Sequence, residues 1–184
     1  MREWGHDLPE ALVVTSRGRD VLCTRVSRNL RGIPEVASEE GRRRAAAMGV
    51  SKQSLSSYLK GSAWPSSLPA LARVSLLSGL DMMEVLGDRP LRPSFDPDAE
   101  ELLAALSRPA TELRAAYSRS LAALIEDGGM SMRGLARDCG MPHVVVVNLA
   151  SGLKLPSAAS SLLLASALGV NPLEMLLGDG GTRN

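Results

Sequence analysis

The chain has 184 residues, 45% hydrophobic, 22% charged and 3% aromatic, with a formal net charge of +1. A disordered chain is excluded, because its hydrophobicity would be far lower and its net charge larger; the length suits one generous domain or two small ones with a real core. No stretch approaches the ~18 uninterrupted apolar residues of a membrane-spanning helix, so no membrane partner is expected. The opening segment MREWGHDLPE carries charges where an export signal needs apolar residues, and a cytoplasmic location is expected. Cys23 and Cys139 cannot form a disulfide scaffold, and with two histidines no metal site is expected. Charge is uneven along the chain: residues 1–60 carry +4, residues 61–128 carry −4 and residues 129–184 carry +1. A basic N-terminal third suits a polyanionic partner.

Apolar residues recur at three and four throughout and alternation is nearly absent, which predicts an all-α chain. Residues 1–14 read as an N-terminal arm. A first domain over 15–88 follows, in which Ile33–Ser38 lengthens the approach from its first helix. Gly49 ends one helix with a left-handed residue, Ser51 caps the next, and that helix runs about nine residues to Gly61. Pro65-Ser66 opens a longer helix through Leu68, Leu71, Ala72 and Leu76, closed by Gly79. Pro90, Pro93 and Pro97 exclude helix and predict a semi-rigid linker over 89–98. A second domain over 99–178 then carries helical periodicity from Ala99, broken at Pro109 and resumed to Ile125, with a turn at Asp127-Gly128-Gly129. Val144–Val147 is taken as helix despite its β-branching, since helical patterns flank it. Pro142 suits an early helical position, Ser157–Leu168 closes on Gly169, and residues 179–184 form a tail.

The two halves repeat one another. Gly49…Gly61 followed by Pro65-Ser66 matches Gly140…Gly152 followed by Pro156-Ser157 at a constant offset of 91. Downstream, Gly79-Leu-Asp-Met-Met-Glu-Val-Leu matches Gly169-Val-Asn-Pro-Leu-Glu-Met-Leu at an offset of 90, so the first half holds one extra residue within Ser66-Ser67-Leu68. Two short helices meeting at a tight glycine turn form a helix-turn-helix.

The second half, from Gly129-Met-Ser-Met-Arg-Gly-Leu-Ala-Arg-Asp-Cys-Gly140 through Pro156-Ser157 to Ala167-Leu-Gly-Val, resembles the Cro/cI-type (XRE) helix-turn-helix family. The first half resembles it from Gly49 to Leu86, but has Arg44-Ala45 where the family has Leu-Ala. The resemblance covers about three quarters of the chain. It implies two tandem lambda-repressor-like helix-turn-helix bundles joined by the proline-containing linker, each carrying its third helix toward the major groove of double-stranded DNA.

Carried over residue by residue, the resemblance assigns base reading in the first half to Lys52, Gln53 and Ser57. Lysine can donate to guanine, and glutamine pairs bidentately with adenine. Ser51, Ser54 and Lys60 are expected at phosphates, and Arg42, Arg43 and Arg44 add backbone contacts. In the second half the same positions hold His143, Val144 and Asn148, with Val147, Ser131, Ser151 and Lys154 nearby. This surface fits either a second DNA half-site or a protein interface, homodimerisation included. Tyr58 and Cys139 are expected in the core, and Trp64 over the end of the third helix. The resulting expectation is a bacterial or phage-type, repressor-like, nucleoid-associated regulator. The alternative is an adaptor or antitoxin-like protein whose second module binds a partner. No nucleophile–base pair, carboxylate dyad or phosphate-binding glycine loop appears, so neither an enzyme, a cofactor nor a small-molecule ligand is expected.

Overall fold

The computed structural model describes residues 16–88 and 99–177. The expected N-terminal arm, the proline linker 89–98 and the tail 179–184 lie outside the described residues. The protein is all-α: 73% is helix, with twelve helices and no strand among the described residues. The chain divides into two compact units, one ending at Ala99 and the other beginning at Glu100.

The first unit contains α1 (Ser16–Arg31), α2 (Pro34–Ala37), α3 (Glu39–Ala47), α4 (Lys52–Lys60), α5 (Leu68–Ser78) and α6 (Met82–Leu86). In α1, Leu22, Val26 and Leu30 recur every four residues on one face and are buried. That face packs against α4 and α6. Helix α5 is buried almost all round, from Leu68 and Leu71 through Val74 to Leu77, as expected of a central helix. At the unit's end, the buried Asn29 side chain donates to the carbonyls of Glu84, Val85 and Gly87 at 2.9–3.1 Å. One amide thus serves two carbonyls in the last turn of α6 and that of the residue after it.

Helix α7 (Ala99–Leu106) starts at the boundary and runs into the second unit, which goes on with α8 (Ala110–Asp127), α9 (Met132–Asp138), α10 (His143–Ala150), α11 (Ala158–Leu168) and α12 (Pro172–Leu177). Pro109, which cannot continue α7, stands at the N-cap of α8. Helix α8 is the spine, packing against α10 and α12. Its Tyr117 is fully buried, and the phenol meets Ser161 Oγ at 3.4 Å. Burial pushes this phenol well above the usual tyrosine range. The valine run is helical as expected: Val146 and Leu149 sit in the core, and tertiary packing overrides the β-branched preference.

The repeat reaches further upstream than the glycines. Ser27 Oγ donates to Leu59 O at 2.7 Å in the first unit, and Ser118 Oγ donates to Ala150 O at 2.5 Å in the second. Both pairs keep the offset of 91. Ser27 to Ala45 and Ser118 to Ala136 are therefore the same distance in sequence, and Ile33–Ser38 does not lengthen the approach. Pro34 instead ends the first helix early, because its ring obstructs the helix and removes an N–H. The segment after it forms the short α2, with Val36 buried. A second correction concerns the start of α5. Its cap is Ser67, not Ser66: Ser67 Oγ accepts from Ala70 N, as Ser157 Oγ accepts from Ser160 N in the other unit. Ser66 is the extra residue.

The kink has one steric requirement. Helix α3 crosses α2 backbone to backbone at Gly41, where a methyl group would lie 2.6 Å from Val36 O and closer still to Glu35 O. At Gly134 in α9 a methyl group meets just Ser131 Oγ, at 3.2 Å. Gly41→Ala is expected to lower unfolding stability by about 1–3 kcal/mol or more, as overpacking does. Gly134→Ala should stay within about 1 kcal/mol of wild type, because the gain in helix propensity offsets a small shift of the serine. Equilibrium denaturant unfolding of the two variants checks the contrast.

Candidate functional site

In the first unit the site is the pair α3–α4 and the four residues between them. Helix α3 ends when Val50 N donates to Ala45 O at 2.8 Å, with Gly49 at φ +75° between them. This is the left-handed turn that a side chain would strain. Ser51 then caps α4, its Oγ accepting from Ser54 N at 3.0 Å and donating to Ser54 Oγ at 2.9 Å. Inside, Leu55 and Tyr58 are buried, as expected for Tyr58. Outside, Lys52, Gln53 and Lys60 are exposed while Ser54 and Ser57 are half-buried. Helix α4 ends on Gly61 at φ +73°, and a Cβ there would lie 3.4 Å from Ser27 Cβ.

Arg42, Arg43 and Arg44 are all exposed, and Arg42 pairs with Glu39 at 3.0 Å. Of the three, Arg42 reaches a shallow groove of about 410 Å³ that runs along α4. Leu55 and Leu59 contribute to its lining, and its charged lining residues are Arg31, Arg42, Lys52 and Lys60. Arg31 is absent from the sequence-based assignment. The signal for it was weak: one arginine at the end of a helix in a basic third of the chain. Its Nε donates to Leu59 O at 2.7 Å. The structure thus brings Arg42, Lys52 and Lys60 together and adds Arg31. Arg43 and Arg44 do not line the groove, and the Ser51 hydroxyl is engaged in its cap.

The second unit repeats the backbone with a different surface. Ser131 caps α9, accepting from Gly134 N at 3.0 Å. Met141 N donates to Ala136 O at 2.9 Å across Gly140, which has φ +63°. Pro142 occupies the N-cap and makes no side-chain cap bond, so α10 begins at His143, one residue after the expected early-helix proline. Leu135 is buried where Arg44 is exposed. His143, Ser151 and Lys154 are exposed, Val147 and Asn148 are half-buried, and Val144 is 61% exposed. The Ser151 hydroxyl donates back to Val147 O at 2.7 Å. Leu153, 64% exposed just past Gly152, was missed in the sequence; it stands where the first unit has Ser62.

Among the described residues no group of three or more His, Cys, Asp or Glu side chains could hold a metal ion. No helix of these residues is long and apolar enough to cross a membrane. No family model, curated protein or solved structure matches the chain.

Cys139, beside the second turn, is 8% exposed and its Sγ meets Leu163 O at 3.5 Å. Burial pushes its thiol up to about 11, and burial also raises that of Cys23. A raised thiol stays protonated and unreactive below its folded-state value. Both cysteines should resist a thiol-titrating disulfide reagent in the native protein at pH 7–8 and react rapidly on denaturation. Rapid stoichiometric labelling of the native protein would contradict this burial.

Proposed function

We propose that the chain is a sequence-specific double-stranded DNA-binding transcriptional regulator, repressor-like and of bacterial or phage type, built from two tandem helix-turn-helix modules. The observation that carries this reading is the head of α4. Lys52 and Gln53 stand exposed there, on a helix whose inner face is clamped, beside a groove whose charged lining residues are all cations. An α-helix fits the major groove of B-DNA, where base edges carry a distinct donor and acceptor pattern. Lys52 would donate to guanine O6 or N7, and Gln53 would pair bidentately with adenine, each good contact contributing about 1–3 kcal/mol of discrimination. Ser57 lies one turn along the same helix. The exposed arginines Arg42, Arg43 and Arg44 would supply the salt-dependent, sequence-independent part of the affinity.

A different observation favours a protein contact for the second module. Helix α10 presents Val144 and, just beyond the helix, the chain presents Leu153, both more than half exposed, where the first module presents Gln53 and Ser62. Valine can touch a thymine methyl but makes no hydrogen bond to a base. Homodimerisation through this face, with a palindromic target, is the reading we adopt for it.

Wild type should select a preferred fragment from a genomic pool that includes its own promoter, with affinity falling steeply as salt rises. The Lys52→Ala/Gln53→Ala double variant should lose that preference while keeping weak, salt-sensitive binding. Equal binding of all fragments by both proteins would reject sequence reading. For the second module, Val144→Ser/Val147→Ser should shift the solution mass from dimer toward monomer. A wild-type mass of one chain would reject dimerisation, and loss of preference in His143→Ala/Asn148→Ala would then assign the module to a second half-site.

A further inference from the structure

The cationic groove is more than the sum of the residues expected at DNA. Arg31, Arg42, Lys52 and Lys60 come from α1, α3 and α4, and they converge on one concave surface with apolar residues in its lining. Arg31 is not simply a mobile surface charge. Its Nε is held on Leu59 O at 2.7 Å, and among the described residues this is the one hydrogen bond its side chain makes. The planar guanidinium is therefore oriented at one nitrogen and leaves its other donors for a ligand. Lys52 and Lys60 lie two turns apart on the flank of α4, so the groove is about 12 Å long. Arg42 is shared with Glu39, in an ion pair whose side chains are 50% and 70% exposed. Such exposed pairs contribute little, and an incoming anion can compete for the arginine.

We infer that this groove is a seat for the phosphodiester backbone of DNA, with Arg31 as a phosphate-binding residue. The inference rests on the proposed docking of α4. A helix with its side chains is about 10–12 Å across and the major groove is about 12 Å wide, so the flank of α4 must lie against one of the two strands. With Lys52 turned to a base edge, Arg31, Arg42 and Lys60 meet phosphates on that side. The seat then fixes how far α4 slides along the groove, which is what phosphate contacts do for register.

The test is the salt dependence of duplex binding by three proteins. Wild type gives the reference slope of log affinity against log salt. Arg31→Met keeps the aliphatic length and removes the charge. Its slope should be shallower by about one, and between 50 and 200 mM salt its affinity should change about 3.5-fold less than that of wild type, on preferred and unrelated duplexes alike. Ser27→Ala is the control. It removes the other bond to Leu59 O, which Ser27 Oγ donates at 2.7 Å, without removing charge, and its slope should equal the wild-type slope. An unchanged slope in Arg31→Met overturns the seat, as does an equal change in Ser27→Ala, which would reduce Arg31 to a helix anchor. Duplex binding without sequence preference, but with an Arg31-dependent slope, keeps the seat and rejects base reading. Absence of duplex binding rejects both. Inorganic phosphate or adenosine monophosphate binding wild type tightly at 150 mM salt, and not Arg31→Met, would transfer the groove to a free phosphorylated ligand and overturn the DNA assignment.

Discussion

The geometry of the candidate site depends on how one short helix is held. Helix α4 has nine residues, too few to be stable alone, and its last carbonyls have no partner within the helix. Leu59 O accepts both Ser27 Oγ and Arg31 Nε, each at 2.7 Å, so the C-terminal end of α4 is tied to α1. Ser51 caps the other end, and Leu55 and Tyr58 bury the inner face. The residue after α4 is Gly61 at φ +73°, a left-handed conformation that a side chain would strain, and it lies in contact range of Ser27 and the backbone of Cys23. Position, pitch and rotation of the exposed residues follow from these few constraints.

The same device holds α10, through Ser118 and Ala150 O with Gly152 beside them. The two units show which features packing demands and which it leaves open. Inward positions keep their character: Ala45 with Ala136, Leu55 with Val146 and Tyr58 with Leu149 are all buried. Outward positions change chemistry: Lys52 becomes His143, Gln53 becomes Val144 and Ser62 becomes Leu153. A shared backbone thus presents a hydrogen-bonding, cationic helix in one unit and a largely uncharged, partly apolar one in the other. Similar folds carry different functions in this way, because function resides in the exposed side chains.

Departures between the repeats have local physical causes. Pro34 cannot sit inside α1, so the chain breaks there and turns through α2, and Gly41 lets α3 pass against it. Ser66 is absorbed in the loop before α5, because Ser67 supplies the cap and Leu68 has to enter the core. Neither change alters the span from Ser27 to Ala45. The loop and the kink take up the differences while the helices that carry the site keep their register.

The helical class and most caps were legible in the sequence, since each depends on residues within a few positions of one another, and the repeat was legible as a constant offset. Periodicity separates buried from exposed faces, a glycine after a helix marks a left-handed residue, and a proline is excluded from a helix interior though not from its first turn. Ser27 and Ser118 were not legible as anchors, because a serine on a helix acquires that role only when another helix brings a carbonyl within reach. Ser67 was hidden by an adjacent serine with the same local chemistry. Arg31 and the groove it shares with Arg42, Lys52 and Lys60 were settled only by the tertiary structure. These cations are 8 to 29 residues apart in the chain, and the packing of α1, α3 and α4 decides that they face the same space.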